Sequence, residues 1–486
     1  MSDKVDVQRW HNQIRPSTPA SCSEIVRLKA PATSLTGMES TIVVSKLGIA
    51  TAGFIKFTLK GFSYVKLLNA FSGRNKIMPA KWLGMAICES MRLSTHSREL
   101  SKYTTRKMID IIERLPVAER NAIRIAGGYY LSADLEAMSP AAGTVPPLSG
   151  NAAGDVLDAF GDVLRISAAN TNAPTEKSIS VYIPILFSAF LNNTKLACWA
   201  SFVESLQLSV KTRTLNKFWQ TYGTCVAPTG FDIEAIVKYH VLSASHYSKA
   251  LQANFKIGQS LNQMWEKSVL IASAYNVAPQ GGNFDPQNPG KLQTWTLTST
   301  ATEFIRSVSV FVFYSEKGAY NAAQDIGNQS FMFDPQLEPI VKCRFTGGGR
   351  TLFDLSKTEA DLFLAGMNKG IYITNSSAKS ALGYNNNAVH SVESEGNAFH
   401  YSWAESSQSS HFSGGLALSG ISSQEWYVES LNFGCRKDTG LAAAEGAIVP
   451  TASEADRTLN IEIWANCVDI KSISSSDGRY LNSLSV

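Results

Sequence analysis

Along much of the chain, apolar and polar residues alternate with a period of two. Leu206, Leu208 and Val210 are separated by Gln207 and Ser209. Ile233, Ala235, Val237, Tyr239 and Val241 alternate with Asp232, Glu234, Lys238 and His240, with Ile236 the one exception. Val308, Val310 and Val312 alternate with Ser307, Ser309 and Phe311, and Leu459, Ile461 and Ile463 with Asn460 and Glu462. This period turns one face of a strand to a core and the other to solvent or a second sheet. Strands spread along the whole chain with few helices between them predict antiparallel sandwiches and argue against βαβ units.

Two segments depart from that period. Met108, Ile111, Ile112 and Leu115 share one helical stripe that Pro116 ends, which predicts a helix over about 104–115. Ser356-Lys357-Thr358-Glu359 has the form of a capping box and starts a second helix, with Leu362 and Phe363 as its apolar side. An acid-Leu-Ser-Lys stretch occurs at each place: Glu99-Leu100-Ser101-Lys102 and Asp354-Leu355-Ser356-Lys357. An Arg and an apolar strand precede both (Arg98 after 86–91, Arg350 after 340–345). Two copies about half a chain apart are what a duplicated domain would leave, and they should superpose.

The length of 486 residues suits two domains better than one. Prolines 16, 19 and 31 interrupt residues 1–36, which read as an N-terminal arm. Trp10, Ile14, Ile25, Val26 and Leu28 in it suggest an anchor that orders on a neighbour rather than a first strand packed on its own barrel. Gly223, Pro228 and Gly230 cluster before a new strand. The expected division is a first domain over 37–222, a linker over 223–229 and a second domain over 230–486. Long small-residue stretches, such as 133–175 and 378–396, read as loops that are functional or pack on neighbours.

With 44% hydrophobic and 17% charged residues the chain is globular, and its net charge of +4 excludes a general nucleic-acid glove. The charge is uneven: residues 46–124 hold fifteen Lys/Arg against five Asp/Glu, among them Lys56, Lys60, Lys66, Arg74, Lys76 and Lys81. That stretch reads as a solvated basic face or, more sharply, as a surface turned toward something anionic such as nucleic acid or lipid headgroups. The seven cysteines (Cys22, Cys88, Cys198, Cys225, Cys343, Cys435, Cys467) form no CxxC pair. They read as reduced thiols, several of them buried, in a cytosolic or nuclear product. The opening residues show no signal peptide, and the longest apolar run, 181–191, is too short to span a bilayer.

Chemistry-bearing motifs are weak. Thr346-Gly347-Gly348-Gly349-Arg350-Thr351 lacks the spacing of a phosphate loop and reads as a tight turn before a helix. His390, His400 and His411 have no close His pair with a carboxylate, so no metal site is expected. No catalytic, cofactor-binding or metal-binding residue stands out, and no cofactor, small-molecule substrate or enzymatic activity is expected.

An ordered set of segments carries a resemblance. Residues 181–188 (Val-Tyr-Ile-Pro-Ile-Leu-Phe-Ser), Lys195-Leu196-Ala197-Cys198-Trp199 and Val203-Glu204-Ser205-Leu206-Gln207-Leu208 resemble the end of the first jelly roll in double jelly-roll major capsid proteins. This is the lineage of adenovirus hexon, the nucleocytoplasmic large DNA viruses and the virophages. Phe345-Thr346-Gly347-Gly348-Gly349-Arg350-Thr351-Leu352 is similar to that family's strand and glycine turn before the helix of the second roll. Phe399-His400-Tyr401-Ser402 with 411–418 resembles its penultimate region, and 459–466 its last strand. Cys198-Trp199 stands where the family usually has a proline. The resemblance implies an all-β chain of two consecutive eight-stranded antiparallel jelly rolls with short helices in inter-strand loops. It also implies a pseudo-hexagonal homotrimer that tiles an icosahedral viral shell as its structural coat. The implied partners are neighbouring capsomers, minor capsid and penton proteins, and an inner membrane or the genome through the basic 46–124 region; the implied place is the virion. The alternative is a jelly-roll spike that binds a receptor or glycan, with Trp403 and Trp426 as its candidate exposed aromatics.

Overall fold

The computed structural model describes most of the chain between residues 21 and 484. Outside the described residues lie 1–20, 65–76, 130–154, 166–174, 191–205, 243–259, 279–290, 317–330, 368–397, 404–413, 433–457 and several shorter stretches.

Among the described residues, sixteen strands build the common frame of two sandwiches, and Leu416–Ala417 and Tyr480–Leu484 add to one sheet of the second. In the first they are β1 (Ser21–Lys29), β2 (Glu39–Val44), β3 (Ile49–Tyr64), β4 (Cys88–Ser94), β5 (Glu99–Thr104), β6 (Thr175–Pro184), β7 (Leu206–Thr212) and β8 (Gly230–Leu242). One sheet has the order β1-β8-β3-β6 and the other β2-β7-β4-β5, and every pairing is antiparallel. The second sandwich holds β9 (Ser260–Val277), β10 (Lys291–Ser299), β11 (Phe304–Tyr314), β12 (Ile340–Gly347), β13 (Arg350–Ser356), β14 (Phe399–Ser402), β15 (Gln424–Asn432) and β16 (Leu459–Ser474). Its sheets run β9-β16-β11-β14 and β10-β15-β12-β13. Adding eight to each strand number of the first sandwich gives the second, so the chain contains one wrapped topology twice.

Alternation explains which faces meet. Leu206, Leu208 and Val210 on β7, and Ile233, Ala235, Val237 and Tyr239 on β8, turn inward with Phe57, Leu59 and Ile183 to form the first core. Val308, Val310, Val312, Leu459, Ile461 and Ile463 meet Phe345, Trp426 and Val428 in the second.

The expected domain division needs correction. Residues 230–242 pair on one side with β1 and on the other with β3, so they lie inside the first sandwich and the sandwich runs from 21 to 242. In a wrapped sandwich the first and last strands are neighbours, so the Gly/Pro cluster at 223–230 marks the loop into a last strand and not a domain linker. The arm is corrected for the same reason. Residues 21–29 pair with β8 at nine positions, and Val26 and Leu28 pack against the first core, as a first strand does. Residues 1–20 lie outside the described part.

Each fifth strand runs directly into a helix: β5 into α1 (Thr105–Glu113), which α2 (Val117–Ala126) follows, and β13 into α3 (Lys357–Met367). Both predicted helices are present, and the capping box closes. The Glu359 N–H donates to Ser356 Oγ at 3.3 Å, and the Ser356 N–H donates to Glu359 Oε2 at 2.8 Å. In α1 the cap is Thr104, whose hydroxyl accepts from the Lys107 N–H at 3.4 Å. Thr104, not Ser101, is therefore the counterpart of Ser356. The two Leu-Ser-Lys stretches fall on the same strand but three residues out of register, an odd shift that puts Ser101 in the interior while Ser356 is half-buried. Strand order, not that motif, carries the duplication. Phe363 is also corrected: it is 56% exposed, while Ala360 of α3 packs in the core.

The glycine turn joins β12 to β13, one element earlier than expected. Gly348 and Gly349 have φ of +58° and +76°, the left-handed pair of a two-residue hairpin, where side chains are strained. Cys88, Cys343 and Cys467 are buried thiols in no disulfide. Burial pushes Cys88 up to about 12 and raises Cys343 still more, so both stay protonated.

Candidate functional site

Strand β11 is buried on both faces. Its inward residues Val308, Val310 and Val312 belong to the second core. Its outward residues Ser307, Ser309, Phe311 and Phe313 would meet solvent in an isolated sandwich, yet Ser309 and Phe311 are wholly covered. Helix α1 of the first sandwich contributes to that covering. Met108 and Ile112 point into the first core, which turns Arg106, Lys107 and Asp110 toward the second sandwich.

The centre of the joint is a largely buried polar network. Lys107 Nζ lies 2.8 Å from Asp110 Oδ2, one helical turn on, and donates to Ser309 Oγ at 3.3 Å. The other carboxylate oxygen of Asp110 is 3.0 Å from His400 Nε2 on β14. His400 Nδ1 in turn is 3.1 Å from Ser309 Oγ, its direct cross-strand neighbour. Two residues of α1 and two of the sheet thus form a ring in which each side chain touches both sandwiches. Lys107 is 0% and Asp110 2% exposed. Charges so buried are tolerated only when paired.

Beside this ring Arg106 lies between two aromatic faces, 4.5 Å from the Phe313 centroid and 4.6 Å from Phe333. Burial lowers its guanidinium to about 10. Arg213, from the loop after β7, stacks on the same Phe333 ring at 4.4 Å. It also bonds Glu316 at 2.9 Å and donates to the carbonyls of Met85, Ala86 and Cys88. Residues 331–333 strap back across the joint: the Phe333 N–H donates to the Lys217 carbonyl at 2.8 Å, and Met332 and Phe333 enter the first core. A cleft of about 300 Å3 remains, lined by Glu89, Arg106, Arg213, Tyr275, Glu316 and Glu462.

Glu462 on β16 accepts from Trp464 Nε1 at 2.8 Å and from the Tyr275 hydroxyl at 3.1 Å. Burial nevertheless raises its carboxyl above the usual value, outweighing those two bonds and the pull of Arg106. Below about pH 4.5 the folded and unfolded chains both hold this proton. Above that the unfolded chain releases it first, so stability falls as pH climbs toward the folded value. The variant Glu462→Gln should therefore melt higher than the parent at pH 8 and nearly alike at pH 4, by differential scanning calorimetry. A variant that melts lower at pH 8 contradicts this.

The basic stretch 46–124 is divided by the structure. Arg106 and Lys107 are buried in the joint, while Arg120 and Arg124 are folded onto Glu113 at 3.8 and 2.5 Å. Those four cannot face an anionic partner. Lys60 and Lys102 are exposed, whereas Lys66, Arg74, Lys76 and Lys81 lie outside the described residues. Trp426 is fully buried, stacked on Phe345 at 4.0 Å, and Trp403 is half-buried against Tyr401 and Phe353, so neither stands free as a ligand platform. Among the described residues no group of three His, Cys, Asp or Glu is placed to hold a metal. His400 belongs to the joint; His390 and His411 lie outside the described part. Also among the described residues, no helix is long and apolar enough to cross a membrane.

Sequence reasoning missed the joint. Its signal was Phe311 and Phe313 opposite Val308, Val310 and Val312: a strand apolar on both faces is covered on both.

Solved structures share this architecture. PBCV-1 VP54, fitted into a cryo-EM reconstruction of the virophage Sputnik, aligns over 95% of this chain and 97% of its own, with a TM-score of 0.56 and 11% identity. A quasi-atomic model of the PBCV-1 virus capsid aligns over the same shares, with a TM-score of 0.55 and 12% identity. The cryo-EM structure of the Sputnik virophage aligns over 95% of this chain and 89% of that one, with a TM-score of 0.54 and 13% identity. The chain is a double jelly roll. No family model and no curated protein matches its sequence, so the double jelly roll is recognised by shape and strand order. Within it, the joint sets α1 of the first roll against β11 and β14 of the second.

Proposed function

We propose that this double jelly roll is a structural subunit of a viral shell, a major capsid protein whose trimers form pseudo-hexagonal blocks of an icosahedral capsid. The observation that carries the reading is the duplication: two rolls of identical strand order fixed side by side by a buried joint. Three such chains present six similar rolls, a near-hexagonal outline that packs with its neighbours. The aligned PBCV-1 and Sputnik structures come from virus particles, which supports the same role. The chemistry agrees. The charged groups of the joint are engaged with each other, as Lys107 is with Asp110 and Arg213 with Glu316, in the manner of a framework rather than a reacting centre.

In this reading the partners are two further copies, neighbouring capsomers, and the minor and penton proteins that seal edges and vertices. The protein is made in the host cytoplasm and resides in the virion. An inner membrane or genome would meet the exposed remainder of the basic stretch, Lys102 included. The spike reading loses its support, because Trp426 and Trp403 are both packed.

Multi-angle light scattering of the purified protein tests the trimer. At micromolar concentration the mass should be three times the chain's 52.8 kDa, because large obligate interfaces do not dissociate there. A chain that stays at 52.8 kDa overturns the proposal.

A further inference from the structure

The joint inside the chain indicates how chains meet. Aligning the two helix caps, Thr104 with Ser356, matches α1 to α3 position by position. Met108 then corresponds to Ala360, and both are buried in their own cores. Arg106, Lys107 and Ile111 correspond to Thr358, Glu359 and Phe363. In α1 the first two are buried against the second roll. In α3 all three are exposed, Phe363 at 56%. Ile111 packs against its own first core, so the side that docks in α1 is left open in α3 at Thr358 and Glu359, and α3 adds an exposed Phe363 next to it.

The receiving sheet shows the same imbalance. The outward face of β9-β16-β11-β14 is covered at Ser309, Phe311, Phe313 and Trp464. Its counterpart, the outward face of β1-β8-β3-β6, is open. Phe54 is 46% and Ile25 68% exposed, and Ile236 sits between Arg27 and Phe54 in one cross-strand row. Arg27, Lys29, Lys56, Lys60 and Lys238 outnumber Asp232 and Glu234 on this face, a positive surround that suits the acidic Glu359 of α3.

We propose that α3 of one copy docks through Phe363 and Glu359 onto the outward β1-β8-β3-β6 face of a second copy, around Phe54, Ile236 and Ile25. The contact repeats between chains what α1 does within one. It rests on the shell-subunit reading and deepens it by naming the faces. A contact of this kind is head-to-tail, and alternating it with the internal joint lets the chains close into a ring.

Two measurements on the full chain test it. A photoreactive benzoylphenylalanine at position 363 should cross-link two chains, with the attachment mapping to peptides from 21–29, 49–64 or 230–242. The variant Phe363→Asp should drop from the trimer mass to the chain mass at micromolar concentration and keep its far-ultraviolet circular dichroism, since Phe363 contributes little to its own fold. If the variant fails to fold, the cross-link map decides. Trimers that survive Phe363→Asp, or whose cross-links map elsewhere or to a different protein, overturn the docking and leave the shell reading standing. A parent protein that is monomeric throughout overturns both.

Discussion

Replacing Asp110 with alanine should lower the stability of the chain by about 3–5 kcal/mol, the cost of leaving a buried charge without its partner. Lys107 is wholly buried, and Asp110 is its ion-pair partner at 2.8 Å. The truncation removes that partner and the acceptor facing His400 Nε2. At about 2–4 °C per kcal/mol for domains of this size, the melting temperature should fall by roughly 10 °C. The expected loss comes from burying an unpaired ammonium, not from the worth of the bond itself. The double variant Lys107→Met with Asp110→Leu should accordingly recover most of it, since well-packed apolar replacements of a buried pair are often neutral or better. A single variant that melts like the parent, or a double variant worse than the single, would show that the ring does not hold the two rolls together.

Truncating Trp426 to alanine should cost a comparable amount, about 3–5 kcal/mol, for a different reason. The indole is fully buried at the centre of the second roll, stacked on Phe345 at 4.0 Å and near Phe353. Its removal leaves a cavity that the neighbouring rings cannot fill. Its Nε1–H also donates to Ser299 Oγ at 3.0 Å, and Ser299 donates to Gln424, whose amide reaches the carbonyls of Ala301, Leu418 and Ile421. Trp426→Phe keeps the stack and loses that donor, so it should cost only about 1 kcal/mol. Calorimetry of both variants checks the order. Equal effects would mean that the hydrogen bond, not the filled volume, dominates.

Strands with one wet face were legible in the sequence, because burial on one side leaves a period of two; β7 and β8 are examples. Both helices were legible from their stripe and their cap. What lay beyond reach depends on distance along the chain. Lys107 and Asp110 look like ordinary solvated positions of an amphipathic helix until His400, about three hundred residues later, is brought against them. The domain boundary was misplaced because Gly223, Pro228 and Gly230 announce a turn, and a turn signal does not say whether the next strand joins the old sheet or a new one. Only the pairing of β8 with β1 and β3 answers that. The arm was misread for a related reason: an edge strand with one neighbour keeps many polar residues exposed, and its composition resembles that of a tail.

Negative-stain electron microscopy of the purified protein tests the shell-subunit reading most directly. The account predicts three-fold particles with six lobes and a near-hexagonal outline, one lobe for each roll. A field of elongated rods, or of compact single chains two lobes wide, would contradict it.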